Sequence, residues 1–143
     1  MKSQEITVYR EVQRNAQMAM KAIDTISDKV YDRELSREIS KQAIKYSEFT
    51  NKAAKQLLEA KAEQYHSTYF ADMMLKLGIH SNTLLNTSTG HIAELMIKGS
   101  NNGIRELEKV LRHNDEAGEA STLLARQLID LEEKSVQSLK EYL

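Results

Sequence analysis

Apolar residues at Val12, Ala16, Ala19, Ile23, Ile26 and Val30 recur at steps of 4, 3, 4, 3 and 4, which is one face of an α-helix. The pattern predicts a first helix from about Glu5 to Val30. A second line, Leu35, Ile39, Tyr46, Phe49, Ala53, Leu57 and Ala60, extends over about 33 residues from Asp32, whose side chain is placed to cap it. Only the residues around Tyr31 are left for a turn, so the first two helices are expected to form a tight antiparallel hairpin. Towards the other end, Leu107, Val110 and Leu111 close a third helix, and His113 and Asn114 make a turn. Asp115 precedes a fourth helix with Glu116 and Glu119 in its first turn, where acids suit the dipole. The apolar line of that helix is Leu124, Leu128, Leu131, Ser135, Leu139 and Tyr142, and it makes a second hairpin with the third.

The join between the hairpins has no clean period. Residues 65–82, YHSTYFADMMLKLGIHSN, read as a connection carrying one short helix at most. At about 3.3 Å per residue such a segment reaches roughly 60 Å, enough to traverse a helix of about 50 Å. The expected fold is therefore all-α, one four-helix bundle domain over 1–143. Its order of short loop, long crossover and short loop is the ferritin-like arrangement. The alternative is an up-down-up-down bundle in which the second helix continues to about Leu77.

Composition sharpens this picture. A chain of 143 residues with 41% hydrophobic and 29% charged residues can bury one core. No proline and five glycines favour long uninterrupted helices. A net charge of −1 offers nucleic acid no general attraction, so none is expected as a partner. The lack of cysteine excludes disulfides, thiolate metal sites and a cysteine nucleophile. MKSQEITVYREVQRN lacks the apolar stretch of a signal peptide, and no stretch approaches the roughly 20 apolar residues of a membrane span. A soluble, cytoplasmic protein is expected.

The hairpin spacing, the polar third helix STGHIAELMIKGSNNGI and the closing helix LLARQLIDLEEKSVQSLKEYL resemble the ferritin-like superfamily, in particular small uncharacterised bacterial members. The resemblance implies a di-iron site with a Glu on each of two helices and Glu-x-x-His on each of the others. The sequence departs from that pattern. Glu132 keeps the carboxylate on the fourth helix, but Ser135 stands where the histidine would be. Glu48 and Asn51 lie opposite the apolar line of the second helix. The one intact Glu-x-x-His, Glu63 to His66, falls near the rim of the bundle. His91 and Glu94 belong to an outward stripe with Lys98, Asn101, Arg105 and Arg112. Gln13 and Gln17 only flank the first helix's line. Glu132, at the edge of the core, is the one candidate interior carboxylate, and it is expected to swing to solvent or bond Gln or Ser side chains rather than stay buried and charged. Two divalent cations would need about four carboxylates. The metal ligands therefore read as degraded, and no metal, cofactor or catalytic residue is expected.

Gly99 and Gly103 sit on the apolar face of the third helix, where helical glycine costs up to about 1 kcal/mol each. A close approach of a neighbouring backbone or of a bulky side chain such as Tyr46 or Phe49 would account for them, and the functional reading is a pocket for a small apolar ligand. Met18, Met20, Met73, Met74 and Met96 read as core filling. Ile44, Ala54, Leu58, Ile97, Ile104, Leu111, Ile129 and Val136 lie off the main apolar lines, which suggests self-association, most simply as a dimer. The reading is a non-catalytic structural or interaction protein. The alternative is a metal-binding oxidase or storage protein using iron or manganese at Glu63, His66 and Glu132.

Overall fold

A computed structural model describes residues 1–66 and 87–143. Among these residues there are four α-helices and no strand: α1 (Ser3–Ile26), α2 (Arg33–Glu59), α3 (Thr89–His113) and α4 (Glu119–Leu139). Single 3-10 turns at Ser27–Lys29 and Lys140–Tyr142 follow α1 and α4. No helix among the described residues is long and apolar enough to cross a membrane.

Local chemistry sets the helix ends. The Asp32 carboxylate accepts the Leu35 N–H at 2.8 Å, satisfying one of the orphan donors of the first turn of α2. The C-terminus of α2 comes sooner than the apolar pattern predicts. Lys61 adopts φ 55, its N–H donates to the Leu58 carbonyl at 3.0 Å, and the Ala62 N–H donates to the Leu57 carbonyl at 2.9 Å. These are the two bonds of a Schellman cap. Glycine usually occupies its left-handed position, so a lysine there leaves no signal in the sequence. The fourth helix also starts later than expected, at Glu119. Gly118 takes φ 90 ahead of it, and Asp115 and Glu116 belong to the turn, where the Glu116 N–H donates to Gln4 Oε1 at 2.8 Å.

Contacts along α1 give the direction of every helix. The chain just beyond α2 lies beside its first half: Arg10 Nε donates to the Glu63 carbonyl at 3.1 Å, and Gln13 Nε2 to Gln64 Oε1 at 2.6 Å. The end of α3 lies there too, with Arg14 3.4 Å from Glu106 and Gln4 bonded in the α3–α4 turn. At the opposite end, Gly90 meets the backbone of Tyr142 and Leu143. Partial burial and the charges of Glu34, Glu38 and Asp32 hold the Tyr142 hydroxyl above its usual pKa. Thus α2 and α3 run in the same direction, and α1 and α4 run against them. In an up-down-up-down bundle α2 and α3 would oppose each other. The expected crossover at 65–82 lies almost entirely outside the described residues, but the alternative in which the second helix continues to about Leu77 is corrected by the cap that ends α2 at Glu59.

The core is built from the expected lines. Val12, Ala16, Ile26, Leu35, Leu57 and Leu128 are fully enclosed. Phe49 and Ala60 prove half-buried, and Gln13 is buried although the pattern put it on a flank. Its amide is used at both ends, because Oε1 also accepts the Tyr65 N–H at 2.7 Å. One glutamine therefore straps the chain after α2 against α1 without leaving a buried polar atom unpaired. Of the off-line apolar residues, Ile44 and Leu58 are 62% and 67% exposed. Ile97, Ile104 and Leu111 instead pack on the core, and Ile129 and Val136 are buried.

Candidate functional site

A polar layer crosses the middle of the bundle, and each of the four helices contributes to it. Glu132 on α4 is its centre, only 3% exposed, so this carboxylate neither lies at the core edge nor turns to solvent but takes the other course expected of it, bonding a serine side chain. It stays inside because it falls on the buried stripe of α4, with Leu128 one turn before it and Ser135 one turn after it. From α2 comes Tyr46, 1% exposed, and from α3 Ser100. Their hydroxyls hydrogen-bond the Glu132 side chain. Gly103 and Asn15 complete the layer. A Cβ at Gly103 would lie 3.6 Å from the Glu132 carboxyl carbon and 3.7 Å from Asn15 Oδ1. Gly103 thus makes room for a carboxyl group and not for Tyr46 or Phe49, while Gly99 has open space beside it.

Electrostatics follow from that enclosure. Burial pushes Glu132 up to about 7, against the opposing pull of the Ser100 and Tyr46 hydroxyls, which favour the charged form. Tyr46 is driven well above the usual tyrosine range, first by burial and then by the Glu132 charge, with Ser135 and Ser100 acting the other way. Glu132 Oε2 and Gln42 Oε1 are buried without a hydrogen-bond partner among the described residues, while Ser135 Oγ has the Tyr46 hydroxyl beside it but no bond of full geometry. Gln42 lies one turn before Tyr46 on the same face of α2 and is 3% exposed. The layer therefore holds an ionisable group poised near neutrality beside spare hydrogen-bonding capacity.

The other sequence candidates fall elsewhere. Glu63 and His66 are exposed and lie past the end of α2, so they have lost the helical i, i+3 register that would let them chelate, and they do not join the enclosed Glu132. Glu48 and Asn51 are exposed, as the wheel predicts. Glu94, Lys98, Asn101, Arg105 and Arg112 are exposed on the outer side of α3, with His91 half-buried beside them. No cluster of three or more His, Cys, Asp or Glu side chains suited to a metal occurs among the described residues. Ser135 is buried in the register expected for it. Gln42, Tyr46 and Ser100 were the members that sequence reasoning missed. Gln42 falls midway in the 39-to-46 gap of the apolar line, and that interruption was the available signal.

No protein-family model matches the sequence, and no curated protein or solved structure matches it either.

Proposed function

We propose that the protein is a bacterial, cytoplasmic ferritin-like bundle that has exchanged its di-metal centre for a Glu132–Tyr46 polar layer and works as a non-catalytic interaction protein. The observation that carries this reading is the donor set at mid-bundle. Where a ferritin-like protein gathers carboxylates and histidines from its helices, this chain aligns Asn15, Tyr46, Ser100 and the Glu132–Ser135 pair. One carboxyl group with a pKa near neutrality is poorly suited to compensate two divalent cations. The shared direction of α2 and α3 supports the ferritin-like arrangement. Exposed Ile44 and Leu58 on the outer side of α2 support self-association as a dimer through that helix.

The test is to add iron or manganese to chelator-free protein and follow thermal unfolding. The expected result is an unchanged melting temperature, whereas a resident site would stabilise by about 2.7 kcal/mol at a hundredfold excess over its dissociation constant. Stoichiometric iron binding that is lost in Glu132→Ala would overturn the proposal in favour of a metal-dependent oxidase or storage protein.

A further inference from the structure

The outer side of α2 carries a second periodic line. Lys41, Ile44, Glu48, Asn51, Lys55 and Leu58 recur at steps of 3, 4, 3, 4 and 3, and every one of them is exposed. Ile44 lies directly across the helix from the buried line through Leu35 and Ala53. Alternating steps of three and four are the spacing of a coiled-coil seam, and the two large apolar side chains that α2 leaves in water, Ile44 and Leu58, both fall on it.

The charges along this line are unspent. Lys41, Lys45, Glu48, Lys55 and Glu59 make no ion pair among the described residues, although Lys55 and Glu59 stand one turn apart. Their order decides what can cover the line. A symmetric parallel pair of α2 helices would set each residue against its own copy, so Lys41, Glu48 and Lys55 would each meet a like charge. An antiparallel pair centred on Asn51 sets residues equally far before and after Asn51 against each other. Ile44 and Leu58, seven residues to either side, then meet. Glu59 comes level with position 43 of the other copy, within a turn of Lys41 and Lys45, and Glu48 comes level with position 54, beside Lys55. At 100° per residue Lys41, Lys45, Glu48 and Glu59 share one flank of the line, and equal flanks adjoin across a two-fold axis between antiparallel helices. Asn51 suits the axis itself, because an amide is both donor and acceptor and can bond its own copy. A single asparagine at a seam position is also a known means of fixing register.

We propose that two copies of this chain pair through α2, antiparallel about a two-fold axis at Asn51, with Ile44 against the partner's Leu58, Glu59 against the partner's Lys41 and Lys45, and Glu48 against the partner's Lys55. This pairing rests on the self-association proposed above and supplies its geometry. Only Ile44 and Leu58 are apolar along the contact, and the remaining pairs are charges in water, so the dimer is weak and sensitive to salt.

The experiment is sedimentation equilibrium of the full chain at low and high sodium chloride, with charge exchange. The wild type should dimerise reversibly, with a Kd at least tenfold higher at high salt. Lys45→Glu and Glu59→Lys should each weaken the low-salt dimer about tenfold, because a symmetric contact counts every change twice. Combined in one chain, the two changes should restore the wild-type Kd. Lys45 and Glu59 are about 21 Å apart along their own helix, so one can compensate the other only across an antiparallel contact. Glu48→Lys with Lys55→Glu repeats the exchange should circular dichroism show that the first set has lost its fold. The chain has no cysteine, which makes single-cysteine variants directly readable with a short bis-maleimide. Asn51→Cys should cross-link as a dimer, whereas Arg37→Cys should not, its two copies standing about 40 Å apart. A wild type that is monomeric at every concentration would overturn both the pairing and the self-association beneath it. A dimer in which Arg37→Cys cross-links, Asn51→Cys does not, or the combined exchange stays as weak as its parts would overturn the pairing and leave self-association standing.

Discussion

The two sides of α2 follow opposite rules. Against α1 it closes a hairpin over Val12, Ala16, Ile26, Leu35, Ile39 and Leu57, side chains without a polar atom and at most 2% exposed. Against α4 it presents Gln42 and Tyr46 to Ser135 and Glu132, and a groove remains between the helices. Both sets occur on one helix within a single buried stripe, so burial alone does not make a seam close. Apolar side chains gain from every ångström of approach, while a carboxyl group and an unpaired amide oxygen gain only from a partner with the right geometry.

The largest expected effect tests the dry seam. Leu57→Ala should destabilise by about 2–5 kcal/mol in denaturant unfolding, since a wholly enclosed side chain leaves a cavity there. A loss below about 1 kcal/mol would mean that this seam is as loose as the other.

The polar seam should show itself as a pH effect. Glu132 binds its proton more tightly folded, at about 7, than unfolded, near 4.5. Its contribution is therefore fully present below about pH 4.5, declines as pH rises and is lost above about 7, a range worth about 3 kcal/mol. Glu132→Gln should remove that decline, so the difference between variant and wild-type stability grows from pH 4.5 to pH 8. Parallel stability profiles would show that Glu132 is not enclosed.

A third change sits where the layer meets α3. Gly103→Leu should cost about 1–3 kcal/mol by overpacking against the Glu132 carboxyl and Asn15, while Lys98→Leu on the exposed side should stay within about 0.5 kcal/mol. Equal effects would put Gly103 on the wrong face. The smallest effect on stability belongs to Ile44→Glu, within about 0.5 kcal/mol, because the side chain is already in water. Sedimentation should nevertheless show weaker self-association, and a wild type that is monomeric at every concentration would remove the dimer.

Much of the dry half of the molecule was readable from periodicity, because a helix repeats its buried face every three or four residues whatever it packs against. The Asp32 cap was readable as well, since its chemistry is local. The stop at Lys61 was not, because a left-handed lysine is an exception that only the surrounding bonds justify. The polar layer was half legible: Glu132 and Ser135 drew attention as an incomplete ligand pair. Whether that carboxylate turned outward depended on Tyr46 and Ser100, which come from two other helices, and no spacing along the chain records that meeting. Ile104 failed for a similar reason. It lies off the line of its own helix and still packs on the core, because α3 meets both α4 and α1 and so buries more than one stripe.

The hairpin arrangement also bears on how the chain reaches this state. Pairing of α1 with α2, and of α3 with α4, joins segments that are neighbours in sequence, so each hairpin forms with little loop-closure entropy and on a fast timescale. Bringing the two hairpins together is the non-local step. It must dehydrate Glu132 as it brings α4 towards Tyr46. Below the pKa of that carboxyl group a neutral acid is dehydrated in place of an ion, and the barrier to docking falls accordingly. The rate of assembly should therefore rise on mild acidification.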